Sequence, residues 1–258
     1  MSLIHSQEEL EKFMKLLPPL MRDEVWFVSL SARNKYLEDY ERPQFSLTNS
    51  EMFCREIIYE THIDNFKRIL TALDASLSYR KTKSGVPYPK KAMVVYFNLN
   101  PSSMVKAYLK FKHIMDTNMV EMYNSLLDKG NALESKFKQF KCALSVLRTE
   151  VQSATSRRVF VDIDFDTKDI SYVDELSAFC DSTGIQYAVV STRSGYHVIL
   201  KKDTVKCNIK LEIDRLHTNF ISENLPGEIV LNKNNMLPLP GTLQGGHLVK
   251  IVENTIVT

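Results

Sequence analysis

The octapeptide VFVDIDFD, Val159 to Asp166, sets an apolar run against acids at every second position. A strand sends residues i and i+2 to the same face, so Asp162 and Asp164 project together while Val159, Val161, Ile163 and Phe165 turn to the other side. Two unpaired carboxylates this close repel, and a divalent cation held by carboxylate oxygens relieves them. The plainer alternative is that acids at a strand end cap the next helix or face solvent. Asp166 is read as such a turn residue.

The pattern around this stretch is regular. Arg158 to Phe165 reads as a strand, Ser171 to Thr183 as a helix closed by Gly184, and Gln186 to Thr192 as a second strand. Arg193-Ser194-Gly195 makes a tight turn into a strand from Tyr196 to Lys201. A helix from Asn208 to about Asn224 turns Ile209, Ile213, Leu216 and Phe220 inward, and Pro226-Gly227 introduces a last strand, Glu228 to Leu231. The order β-α-β-β-α-β over residues 158–231 is the ferredoxin-like unit that RNA-recognition modules also use, so an α+β, RRM-like fold is expected. In that topology the first strand lies between the third and the fourth. Asp162 and Asp164 are then flanked by the His197 strand and the Glu228 strand on an open sheet face.

The first half reads as helix-rich. Ser50 is placed as the N-cap of a helix reaching Leu77, with Phe53, Ile57, Ile58, Phe66, Ile69, Leu70 and Leu73 on its apolar side. Leu133, Phe137, Phe140, Leu144, Leu147 and Val151 recur at helical spacing and predict a second helix over 131–152. Met93 to Leu99 is a buried strand ended by Asn100-Pro101, followed by a helix from Ser103 to about Met115. This divides the chain into a helix-rich part, 1–92, packed on a catalytic core, 93–258.

With 258 residues, 44% of them hydrophobic, the chain is long enough to bury a full core. No apolar run approaches the ~20 residues of a membrane span. MSLIHSQEELEKF is a charged amphipathic start rather than a signal peptide, so a cytoplasmic protein without membrane contact is expected. Cys54, Cys142, Cys180 and Cys207 form no CxxC pair, which argues against a zinc module and a disulfide framework. A net charge of +2 excludes a wholly basic coat and leaves local basic patches as the means of meeting nucleic acid.

Two carboxylates, a third acid on an adjacent strand and a histidine form the set that two-metal phosphoryl or nucleotidyl transfer requires. The ions, ~3.5–4 Å apart, activate the attacking hydroxyl and stabilise the leaving pyrophosphate. A lone histidine beginning a strand is more often an ordinary residue. Ser194-Gly195 beside His197, however, offers a hydroxyl and turn N–H groups as an anion nest, and Arg193, Lys201 and Lys202 add positive charge.

Val161 to Asp164 (hydrophobic-Asp-x-Asp), Ser194 to His197 (Ser-Gly-x-His) and a third acid on a later strand resemble the three motifs of the archaeo-eukaryotic primase superfamily. Its members are small catalytic primases and primase-polymerases on a modified RRM-like fold. Met236 to Lys250, MLPLPGTLQGGHLVK, also resembles that superfamily's Leu-Pro-Gly-Ser/Thr-Leu-His-Gly run, and the likeness covers roughly residues 93 to 252. The resemblance implies Asp162 and Asp164 as catalytic ligands of two Mg²⁺ or Mn²⁺ ions, with no zinc, and triphosphate binding by Ser194 and His197. Arg193, Gly195, Lys201, Lys233 and Lys250 are further nucleotide-binding candidates. For the third ligand the family has Asp; here Glu228 is best placed, with Asp214 a rival on a predicted helix. Gln244 stands where the family has His, so a phosphate contact there would move to His247 or Lys250. The implied substrates are template DNA and NTP or dNTP. No helicase motif is present, which implies a separate helicase or accessory replication subunit.

The rival from another class is a non-catalytic RRM-like single-strand binder, in which RSGYHVIL, Arg193 to Leu200, echoes a recognition motif and Tyr196 stacks a base. A two-metal nuclease shares the acids but leaves the Ser-Gly-x-His nest unexplained. A basic run with interleaved tyrosines, Arg80, Lys81, Lys83, Lys90 and Lys91 among Tyr79 and Tyr88, is either a holder of template or primer strand or a solvated connector. Arg33 and Lys35 are further phosphate candidates. If the run holds a strand, replacing Arg80, Lys81 and Lys83 with Ala weakens single-stranded DNA binding and flattens its salt slope by about 2, measured by anisotropy titrations across salt. An unchanged affinity and slope identifies the run as a connector.

Overall fold

The computed structural model describes residues 3–42, 50–77, 87–127, 138, 140–223, 227–232 and 236–257. The chain is a mixed α+β protein with antiparallel sheets and six α-helices among those residues. One sheet runs β2 (Ser50–Ile58), β1 (Glu24–Arg33), β3 (Met93–Asn98), β9 (Met236–Pro238), with β4 (Ser102–Ser103) on β1. The other runs β12 (Lys250–Asn254), β6 (Tyr187–Ser191), β7 (Tyr196–Lys201), β5 (Phe160–Phe165), β8 (Ile229–Leu231), and β10 (Leu243–Gln244) and β11 (His247–Leu248) form a separate hairpin. None of the described helices is long and apolar enough to cross a membrane.

In β1 the alternation of side chains sets two different faces. Trp26, Val28, Leu30 and Ala32 are fully buried in the main core with α1 (Gln7–Met14) and α2 (Ile63–Leu77), through Leu10, Phe13, Phe66 and Leu70. Along the opposite face the chemistry changes from apolar to polar. Val25 and Phe27 pack in a small core with Ala107 of α3 (Met104–Leu127) and Val151 of α4 (Ala143–Ser153), whereas Ser29, Ser31 and Arg33 line a cavity. One strand thus supplies both packing and a polar wall.

The second sheet holds the four strands expected over 158–231 in the order β6-β7-β5-β8, and adds β12, not expected from sequence, at the β6 edge. Its strands enclose α5 (Ser171–Thr183) and α6 (Ile209–Ser222), whose Leu176, Cys180, Ile213, Leu216 and Phe220 meet Ile163, Phe165, Val198 and Leu200. Gly184, at φ 70°, ends α5 in the left-handed conformation. The other face is not open along its length, contrary to the expectation from sequence. Phe160, Ala188, Val190 and Ile199 join the core of the first sheet, leaving only the Asp164 end of β5 uncovered. Buried Asn100 ties the sheets together: its Oδ1 accepts from the N–H groups of Val159 (2.6 Å) and Phe160 (2.9 Å), and its Nδ2 donates to the Phe160 carbonyl (3.2 Å).

The N-terminal part departs from its helix-rich reading. Residues 50–58 form β2, paired with β1, and only 63–77 are helical. The cause is a bulge: Leu30 pairs with Cys54 and Ser31 with Met52, so Phe53 is the extra residue. A bulge breaks the period of two, so Phe53 and Ile58, an odd number of residues apart, reach the same core and the alternation of a strand is lost. A boundary after residue 92 would cut the first sheet, because β3 pairs with β1. The helix expected over 131–152 is α4 at 143–153, while 131–137 lie outside the described residues. The helix expected at 103–115 continues to Leu127.

Two glycines hold the chain just past β5. A Cβ on Gly195 would stand 1.8 Å from the Phe165 carbonyl oxygen, and one on Gly227 1.9 Å from that of Asp166. Backbone, unlike a side chain, has little room to yield. Gly195→Ala is therefore expected to lower the unfolding free energy by at least about 2 kcal/mol in guanidinium titrations. Gly184→Ala, strained in φ but facing open space, is expected to cost only about 1 kcal/mol.

Candidate active site

β5 is clamped on both sides, antiparallel to β7 with Asp162 opposite Ile199 and Asp164 opposite His197, and antiparallel to β8 with Asp164 opposite Val230. Asp162 is buried, 1% exposed. Each of its carboxylate oxygens has a partner: Oδ1 lies 2.9 Å from Nδ1 of His197, and Oδ2 accepts from Nδ2 of Asn232 at 2.6 Å. The Asn232 N–H also donates to the Asp162 carbonyl at 2.8 Å, extending the β8 ladder by one residue. His197 reaches the second aspartate as well, with Nε2 3.6 Å from Oδ1 of Asp164. The imidazole therefore stands between the two carboxylates that the sequence pairs.

Electrostatics follows from that position. Burial pulls the pKa of His197 down, but the charges of Asp162, Asp164 and Asp166 and the hydrogen bond to Asp162 outweigh it, raising the value to about 9. At neutral pH the ring is an imidazolium, the counter-ion of a buried carboxylate. Asp164 is displaced the other way from its ordinary acidity. Burial raises its pKa, and Asp162 and Asp166 add to the rise against the opposing pull of His197 and Lys35.

Asp164 opens into a cavity of about 910 Å³ between the two sheets. Asp166, Glu228, His197, Thr192, Ser194, Asn232 and Gln244 line it from the second sheet and its loops, and Ser29, Ser31, Arg33, Lys35, Tyr96 and Asn98 from the first. Arg33 donates to the Tyr96 hydroxyl at 3.1 Å, with its Nε buried and without a partner among the described residues. Lys35 donates to the Ser194 hydroxyl at 3.4 Å. Neither cation forms an ion pair with a described carboxylate. Arg33 and Lys35 share one space with the carboxylates without a direct ion pair to them.

The sequence candidates divide by register. Asp164, Glu228, Ser194 and His197 meet at the cavity, joined by Arg33 and Lys35. Asp162 sits beneath it, engaged by His197 and Asn232. Asp166, read as a turn residue, lines the cavity, and its N–H donates to the Glu228 carbonyl at 2.9 Å. Lys201 lies opposite Phe160 at the far end of β7 and donates to the Val257 carbonyl at 2.7 Å, so it is removed from the site by strand length. Lys250 is exposed on β12, opposite Ser191, and does not line the cavity. Asp214 is exposed on α6. Lys90 and Lys91 form ion pairs with Asp74 (3.3 Å) and Glu41 (2.8 Å). Arg80, Lys81, Lys83 and Lys233 lie outside the described residues.

The turn before β7 works differently from an anion nest. The Arg193 N–H donates to Oε1 of Gln244 (2.8 Å) and the Gly195 N–H to the Thr192 hydroxyl (3.3 Å), so two of its donors are spent on the fold. Arg193 is a packing residue: its guanidinium lies 5.0 Å from the Tyr36 ring centre and donates to the Gly245 carbonyl at 3.1 Å. Gln244, where the resemblance led to an expectation of His, anchors that loop. His247 lies near Lys168, Lys250 and Arg193, and burial followed by those cations holds its pKa below the ordinary histidine value. Tyr196 belongs to the helix-covered side and packs against the core of α5 and α6.

The carboxylate oxygens of Asp164, Asp166 and Glu228 on one cavity wall suit a hard divalent cation. No three His, Cys, Asp or Glu side chains among the described residues form a ready cage. That is compatible with Mg²⁺, which keeps water and takes one or two carboxylates together with substrate phosphates.

Removing His197 should expose how far the fold depends on it. His197→Ala leaves Asp162 as an uncompensated buried charge and is expected to cost about 3–5 kcal/mol in denaturant unfolding. The folded pKa of His197 lies above the ordinary value of 6.5, so its stabilisation is complete below that pH and fades as pH rises through about 9. The Tm gap between wild type and His197→Gln should therefore shrink between pH 6 and about pH 10. A gap constant with pH would show that the ring is neutral.

No family model, curated protein or solved structure matches the chain. The chemistry of this cavity has to be taken from its own residues.

Proposed function

We propose that the chain is a metal-dependent nucleotidyltransferase of the primase-polymerase type, copying a DNA template from nucleoside triphosphates with release of pyrophosphate. The observation that carries the reading is the cavity in which Asp164, Asp166 and Glu228 face Arg33 and Lys35 with no ion pair between the two groups. A nucleoside triphosphate with its divalent ions satisfies both at once: phosphates take the cations, and the ions take the carboxylates. The volume, about 910 Å³, suits a nucleotide-sized ligand. The antiparallel order β12-β6-β7-β5-β8, with its β-α-β-β-α-β connections, supports an RRM-like fold for 158–231.

The roles follow from position. Asp164, with Glu228 or Asp166, would hold the ions, and Asp162 lies behind it, engaged by His197. Bound ions would activate the attacking hydroxyl and offset charge on the leaving pyrophosphate. Arg33, Lys35 and the Ser194 hydroxyl hold phosphate oxygens. The imidazolium of His197 is both the partner of Asp162 and a cation at the cavity wall. The single-strand binder is the weaker reading, because Phe160, Ala188, Val190 and Ile199 of the would-be binding face are packed under the first sheet.

The test mixes the protein with single-stranded template, with and without primer, Mg²⁺ or Mn²⁺, and labelled NTP or dNTP. Template-dependent product is expected, falling at least about 10³-fold in Asp164→Asn and about 10–100-fold in Arg33→Ala and Lys35→Ala. No product under any of these conditions, with strand binding fully kept by Asp162→Ala/Asp164→Ala protein, would overturn the reading in favour of the binder.

A further inference from the structure

The outer side of α3 carries an apolar stripe that nothing in the described fold covers. Val105, Tyr108, Leu109, Met119, Val120 and Tyr123 are each more than half exposed, while the opposite side packs through Ala107, Met115 and Asn118. Single exposed apolar residues are ordinary, but six along one helix face mark a contact surface. Their spacing is regular. Val105, Leu109, Lys112, Asp116, Met119 and Tyr123 follow one another at alternating intervals of four and three, the heptad seam of a helix pair.

The seam is also mirror-symmetric about Ile114. Val105 mirrors Tyr123, Tyr108 mirrors Val120, Leu109 mirrors Met119, and Lys112 mirrors Asp116. A two-fold axis makes residue i of one copy meet residue j of the other, and j meet i. Two α3 helices laid antiparallel thus set apolar residues against apolar residues throughout, with Lys112 of each copy facing Asp116 of the other. A parallel pairing would instead oppose Lys112 to Lys112 and Asp116 to Asp116. Neither side chain forms an ion pair with a described residue of its own chain, so both remain available for the partner.

We propose that α3 is a homodimer interface, an antiparallel pair of α3 helices closed by two Lys112–Asp116 bridges between copies. The occupant of the stripe is a second copy of this chain, because the charge order is self-complementary in one direction only. A seam of this length buries on the order of 1,000 Å², the lower edge of specific interfaces, so the dimer is reversible and concentration-dependent. The inference is independent of the catalytic reading.

Sedimentation equilibrium of the full chain across a concentration series tests it. Wild type is expected to pass from monomer to dimer. Lys112→Asp and Asp116→Lys, each placing like charges across the axis, should weaken dimerisation at least about tenfold. The combined Lys112→Asp/Asp116→Lys exchange should restore it to within about threefold. Leu109→Glu should abolish it, with the circular dichroism and Tm of the monomer unchanged. A monomer up to about 100 µM would overturn the proposal, as would a dimer indifferent to Leu109→Glu. A combined exchange as weak as either single variant would also overturn it, since that excludes the direct charge contact.

Discussion

A carboxylate taken out of water must be matched or it destabilises the fold by several kcal/mol, and Asp162 is such a carboxylate. Its two oxygens are matched from opposite sides of β5, by His197 on β7 and by Asn232 just beyond β8. That requirement fixes register. A slip of either neighbour by one residue turns His197 or Asn232 to the opposite face and strips a buried charge of one of its two partners. The same imidazole that compensates Asp162 is close enough to Asp164 to feel its charge. The electrostatics of the cavity is therefore a by-product of what holds the sheet together.

Glycine completes the arrangement from the backbone side. Gly195 and Gly227 press on the carbonyls of Phe165 and Asp166, bringing the β7 turn and the approach to β8 against the end of β5. Only this closeness sets Ser194, Asp166 and Glu228 around Asp164. The Ser-Gly-x-His run is then best understood by parts. Its serine faces Lys35 and the cavity, its glycine is a spacer between backbones, and its histidine is a buried charge with one edge on the site.

Much of this was legible in the sequence because the signals are local. Alternation over 159–166, Gly184 as a helix stop and the short turn at 193–195 locate four strands of the second sheet to within about two residues, while the edge strand β12 is missed. What the sequence hid is non-local or aperiodic. The bulge at Phe53 destroyed the alternation that would have identified β2. Lys201 and His197 share a strand and a parity, but four residues of strand, about 13 Å, separate them. Asp166 ends an acidic run and looks like a turn residue until Glu228 is known to lie beside it. Arg33 and Lys35 are candidates from sequence, but nothing local says which acids they face. They reach the cavity because β1 pairs with β3, whose Tyr96 and Asn98 share that wall.

The cavity exists because the segment after β8 crosses from one sheet to the other. β9 extends the first sheet at β3, Gly241 receives the N–H groups of His5 and Ser6 ahead of α1, Gln244 takes the N–H of Arg193, and β12 closes on β6. These contacts hold the two polar walls at a fixed separation. Asp164, whose pKa burial raises, and Arg33, whose Nε has no partner among the described residues, stand on the two walls with no ion pair between them. Under the proposed reading, a ligand that carries phosphate anions together with divalent cations satisfies both walls at once.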